Sequence, residues 1–161
     1  MKNTAIVLGT ALVLMFFLTA CNKTSDVDKE IEAIKTVINS ETQAWIDKNP
    51  DVMKKYYIHD AFQTRVNIQD SAYTIATGWD KRSVAIDTLT KYVDWVGVDA
   101  FKVEKEFLAI KVYDDAAWAI VRETQNMIYN GSPAKAVAII NVMLEKVNEE
   151  WKISCFVKSS I

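Results

Sequence analysis

Three turn signals divide the last third of the chain into segments too long and too β-branched for anything but strands. They are Asp114-Asp115, Asn130-Gly131-Ser132-Pro133 and Asn148-Glu149-Glu150. Between and after them lie Ala116 to Tyr129, Ala136 to Val147 and Trp151 to Val157, rich in Val, Ile, Thr, Trp and Tyr. Asn-Gly with a following Pro is a strong hairpin signal, because both turn positions accept positive φ. The spacing predicts a meander of three antiparallel strands, preceded by a fourth over 101–113. A sheet with strands this long must bury one face, and the first half of the chain has to supply the cover.

That cover reads as helix. From Lys29 to Lys48, Ile31, Ile34, Ile38, Trp45 and Ile46 recur at helical spacing, with Val37 and Ala44 widening the stripe. Asp28 is placed to cap the start, and Asn49-Pro50 ends the helix because a residue before Pro avoids the helical region. "DVMKKYYI" predicts a short second helix with Val52, Met53, Tyr56 and Tyr57 on its inner side. "AFQTRVNI" and "SAYTIATGW" predict two short strands, and Asp80 to about Val96 a third helix. Helices early and sheet late give an α+β layout in one domain.

The first twenty residues belong to a different class of segment. Lys2 gives a positive start, Ala5 to Phe17 an apolar core of signal length, and Leu18-Thr19-Ala20 small residues before Cys21. "LTAC" resembles the lipobox of bacterial lipoproteins at all four positions. The resemblance implies cleavage before Cys21, a diacylglycerol on its thiol and a membrane partner reached through that lipid. Asn22 in place of Asp after the cysteine implies the outer membrane of the cell envelope. The expected organisation is a signal peptide over 1–20, a lipidated tether over 21–28 and a folded domain over 29–161.

Composition then excludes several function classes. Beyond residue 20 the chain has 18 basic and 21 acidic residues, with no basic cluster longer than two. That offers no electrostatic footprint for nucleic acid. One His (His59), no CxxC and no HExxH leave no His/Cys metal site to assemble, and four Gly provide no phosphate-binding loop. No motif calls for a cofactor. With Cys21 lipidated, Cys155 has no disulfide partner and reads as a small buried hydrophobe.

The order of elements is similar to the nuclear transport factor 2-like superfamily, in particular its SnoaL-like and DUF4440-like domains. The residues carrying the resemblance are "GWDKRSVAIDTL", "DDAAWAIVRETQ" and "AVAIINVMLEKVNEEWKIS", within about residues 30–160. The resemblance implies a cone: N-terminal helices packed on a curved antiparallel sheet, with a pocket at the wide end. It also implies a structural role for Trp151. Many relatives carry a His six residues after that Trp and a Ser eight after; here the positions hold Val157 and Ser159, so the serine is kept and the histidine is not.

Candidate site residues follow from polar groups in apolar strands and from aromatics at pocket height. Asn141 interrupts Ala136 to Leu144 and is expected either to touch a ligand or to be satisfied as a buried amide. Arg122 and Glu123 are adjacent on a strand, so only one of them faces the cone. If Arg122 does, Trp118 and Asn126 share its face and the guanidinium can hold an anionic or carbonyl-bearing ligand. The alternative for Arg122 is a cross-strand ion pair outside. Tyr57, Tyr73 and Trp79, with Trp45 and Trp95, are candidates to line a cavity or plain core. Glu123 and His59, the latter beside Asp60, are the candidate general bases. Three functions stay open on these residues: binding of a small, largely apolar molecule, SnoaL-like isomerase or lyase chemistry, and assembly as a homodimer through the sheet face.

Overall fold

A computed structural model describes residues 26–92 and 98–161. The signal segment, Cys21, the first part of the tether, and Trp95 with the expected end of the third helix lie outside the described residues. Helix α1 occupies 26–46 and α2 Pro50–Lys54; β1 (Thr64–Gln69) and β2 (Ala72–Thr77) form a hairpin, followed by α3 (Trp79–Tyr92). The long strands are β3 (Val98–Tyr113), β4 (Ala116–Tyr129), β5 (Ser132–Val147) and β6 (Glu150–Ser160). The helices pack on one curved six-stranded sheet, ordered β2-β1-β6-β5-β4-β3.

Each of the three long hairpins closes on two residues: Tyr113 pairs with Ala116, Tyr129 with Ser132 and Val147 with Glu150. Asn130 (φ 49°) and Gly131 (φ 73°) take the left-handed conformation that this tight connection requires, as do Asn148 and Glu149. Strands β5 and β6 therefore begin earlier than the turn residues suggest, at Ser132 and Glu150.

Three elements differ from the sequence reading. The first helix is already formed at residue 26, so Asp28 lies inside it and not at its cap. The second stops at Lys54, and Tyr57 bridges to Ile153 as extended chain. The sheet is mixed, because β1 runs parallel to β6, with Arg65 opposite Phe156 and Asn67 opposite Lys158. That pairing joins segments about 90 residues apart, beyond the reach of any local periodicity.

Ile34 and Ile38 of α1, Met53, Tyr57 and Ile86 of α3 pack on Ala117, Ala119 and Val121 of β4. Ile140, Val142 and Leu144 of β5, with Ile153 and Phe156 of β6, complete this core. Strict alternation puts these residues on the concave face. On β6 the alternation is broken once. Met143 pairs with Cys155 and Leu144 with Ile153, so Ser154 is an extra residue in a β-bulge. Before it Trp151 and Ile153 face inward; after it Phe156, Lys158 and Ser160 do.

Candidate functional site

A cavity of about 440 Å³ opens on the concave face between α1, β1 and the far ends of β4, β5 and β6. Its apolar wall includes Trp45, Ile68, Leu89, Val137 and Phe156, and its polar wall Glu41, Thr42, Arg65, Glu123, Gln125 and Lys158. These polar residues form a connected network. Lys105 and Lys158 donate to the two oxygens of Glu123 at 2.9 and 2.7 Å, and Gln125 Nε2 adds a third bond at 2.9 Å. Lys105 also donates to Thr42 Oγ1, whose hydroxyl lies 3.3 Å from Glu41 Oε2. Tyr57 donates its phenol to Glu41 Oε1, and Arg82 Nη2 donates to that phenol at 2.9 Å. Arg65 stands 3.9 Å from Glu41 and lies over the Phe156 ring at 4.1 Å.

Local structure explains why these groups meet. Lys105 and Glu123 are directly opposed across β3 and β4, and both are nearly fully buried. The Ser154 bulge turns Lys158 onto the same carboxylate. Glu41 sits on the apolar stripe of α1, one turn after Ile38.

Electrostatics sets what the network can do. Burial pushes the Glu123 carboxyl up, but the Lys105 and Lys158 ammonium groups outweigh it and hold the carboxyl down, from 4.5 to about 2. A carboxylate so held is a poor proton acceptor. Burial pushes the Tyr57 phenol up to about 12, with the Glu41 charge adding to it and Arg82 and Arg65 opposing it. The phenol is therefore a donor at neutral pH.

Of the candidate residues singled out from the sequence, Glu123 and Trp45 line this cavity. Tyr57 is 2% exposed and lies behind it, in the network with Glu41 and Arg82. Trp118, Arg122 and Asn126 do share a face, but it is the convex one, because buried Ala119, Val121 and Glu123 alternate with them. There Arg122 pairs with Glu106 across the strands at 2.7 Å, which is the outside ion pair and not a ligand contact. Asn141 is half-buried on the same face, opposite Ile120 and Val157, so it neither enters the cavity nor sits in the core. Tyr73 is 70% exposed on edge strand β2.

His59 is exposed, stacked on the half-buried Trp79 at 3.7 Å, with Nε2 3.0 Å from the Lys54 carbonyl oxygen. Asp60 accepts from the backbone N–H groups of Phe62 and Gln63, so it shapes a turn and does not orient the imidazole. Cys155 lies half-buried on the convex side, and burial pushes its thiol up. Among the described residues no group of three or more His, Cys, Asp or Glu is placed to hold a metal ion.

Glu41, Arg65, Lys105 and Lys158 are the site residues that the sequence reading passed over. Two had a visible signal: Glu41 interrupts the apolar series Ile34-Ile38-Trp45, and Lys105 the inward series Phe101-Val103-Phe107. Lys158 had none, because the bulge reverses the phase of β6 before it.

No family model matches the chain, and no curated protein matches it. Solved structures do. An NTF2-like superfamily protein from Salmonella enterica serovar Typhimurium is 18% identical over 85% of this chain and 92% of its own, with a TM-score of 0.62. A ketosteroid isomerase-like protein from Erwinia carotovora atroseptica is 15% identical over 82% and 96%, TM-score 0.60. An NTF2-like protein of unknown function from Shewanella oneidensis is 16% identical over 81% and 98%, TM-score 0.59. At these identities the likeness is one of fold, and it spans most of each chain. The chain has the NTF2-like, α+β cone fold.

Proposed function

We propose that the protein is a lipid-anchored cell-envelope protein whose cone binds a small, largely apolar molecule without turning it over. The observation that carries this reading is the state of Glu123: the expected base in the cavity is a counter-ion shared by two lysines, held near pKa 2. The other expected base, His59, lies outside the cavity. What remains around the open volume is an apolar wall and a Glu123 carboxylate already paired, which suits retention of a ligand better than proton transfer.

Native mass spectrometry of a chain beginning at Asn22, purified gently, tests the proposal. A co-purifying small molecule, lost in the cavity-filling variant Ala136→Trp, is the expected result. Protein that is empty, or an adduct that survives Ala136→Trp, overturns it. Lipidation is tested separately, by whether Cys21→Ser abolishes incorporation of labelled palmitate.

A second reading, SnoaL-like isomerase or lyase chemistry, has one observation in its favour. Among the described residues Glu41, unlike Glu123, pairs with no lysine, only with Arg65 at 3.9 Å, and it shares the cavity wall. Turnover of an enolisable ketone that is lost in Glu41→Gln but kept in Glu123→Gln would select this reading over binding. A homodimer through the sheet is a further proposal. The convex face presents Trp118, Ile120, Ile139 and Met143, and sedimentation velocity with Met143→Glu tests it.

A further inference from the structure

The cavity described above is not electrically balanced. Among the described residues, the connected network contains four cations, Arg65, Arg82, Lys105 and Lys158, and two carboxylates, Glu41 and Glu123. Both carboxylates are already occupied. Glu123 has its two lysines and Gln125, and Glu41 accepts from Tyr57 with Thr42 at its other oxygen. The cations are less fully used. The Arg65 side chain makes one hydrogen bond among the described residues, from Nε to Asn67 Oδ1 at 3.1 Å, and its nearest carboxylate, Glu41, is 3.9 Å away. A guanidinium has five N–H donors, so most of its fork is left to the open volume that it lines. Its side chain is only 16% exposed, and a half-spent cation in such a place is stabilised by an anion. Lys158, beside it on the adjacent parallel strand, also lines the cavity. The rest of the wall, Trp45, Ile68, Leu89, Val137 and Phe156, is apolar.

We infer that the molecule taken by this cavity carries a carboxylate at one end of an apolar body, with the carboxylate seated between the Arg65 guanidinium and the Lys158 ammonium. The inference rests on the proposed binding function and adds the chemical class of the ligand. Arg65 is held for this role by stacking on Phe156 and by Asn67; its Nη1 lies 3.9 Å from Glu41 Oε1, too far for a hydrogen bond, so the Nη groups can still donate to a planar anion.

Calorimetric titration of the purified full chain with three acids, octanoate, 4-phenylbutyrate and 1-naphthaleneacetate, each beside its neutral amide, tests this without any variant. At least one acid is expected to bind about tenfold or more tightly than its amide, with a gap that narrows as salt rises. Arg65→Gln should close most of that gap and Arg65→Lys only part of it, at unchanged far-ultraviolet circular dichroism. Acid and amide binding equally would overturn the carboxylate inference and leave the pocket in place. If no acid and no amide binds, the inference and the binding function fall together. Should Arg65→Gln unfold the chain, Lys158→Met provides the same comparison from the more exposed partner.

Discussion

Glu123 and Lys105 are each about 5% exposed at the side chain, so neither charge has water to fall back on. Removing one member of a buried pair costs more than the pair contributes, because the other is left uncompensated. Glu123→Leu should therefore lower stability by about 3 kcal/mol or more in urea unfolding, and Lys105→Met added to it should recover part of that loss. A recovery of nothing would mean that Lys105 is satisfied by Thr42 and does not depend on Glu123. Tyr57 makes a second residue-scale prediction. Its folded pKa is raised to about 12 and its ordinary value is 10. The unfolded chain therefore ionises first, and stability is lost as pH rises from 10 toward 12. Tyr57→Phe should remove that alkaline slope while costing about 2 kcal/mol at neutral pH through the lost bonds to Glu41 and Arg82.

At the scale of elements, the Ser154 bulge decides more than any helix boundary. A strand's side chains alternate, so one inserted residue exchanges the faces beyond it. Deleting Ser154 should turn Phe156 out of the core and carry Lys158 off Glu123. The expected outcome is a melting temperature lowered by 10 °C or more, on the order of the loss of one large core side chain. A shift of a degree or two would mean that β6 re-registers without the bulge. The same element shows where sequence reading stops. The four long strands were legible from turn chemistry and β-branched content, and the helices α1 and α3 from periodicity. The phase of β6 beyond Ser154 was not, and neither was its parallel pairing with β1, because both depend on contacts between distant segments. Which face of β4 turns inward was likewise left open, so Arg122, Trp118 and Asn126 could be grouped with one another but not assigned to a side of the sheet.

In the molecule as a whole, the two ends of α1 meet different environments. Near its start, Glu30 accepts from Lys146 Nζ at 2.7 Å and from Trp151 Nε1 at 2.6 Å, tying the helix to the β5–β6 hairpin. Near its end, Thr42 and Trp45 line the cavity. At 1.5 Å per residue the two places are about 18 Å apart along the helix. An anchor preceding residue 26 would thus hold the protein by the end opposite its pocket. Glu30→Ala should loosen the helix start and cost about 1–2 kcal/mol without altering ligand binding, which separates stability from function in one variant. The fold could be expected from the order of elements, and the pocket's location from the fold. Its charge could not, because Arg65, Arg82, Lys105 and Lys158 are far apart in sequence and converge only when the sheet curves.

The claim on which the functional reading depends is that Glu123 is a locked counter-ion and not a base. With a folded pKa of about 2 and an ordinary value of 4.5, its stabilising contribution is complete above pH 4.5 and is lost as pH falls toward 2. Carboxyl-carbon NMR titration of glutamate-labelled protein measures this directly, with Glu123→Gln identifying the resonance. Glu123 should remain ionised at pH 3, its signal moving only as pH 2 is approached. A midpoint at 4.5 or above would mean a carboxylate free to take a proton, and would contradict the binding function in favour of catalysis.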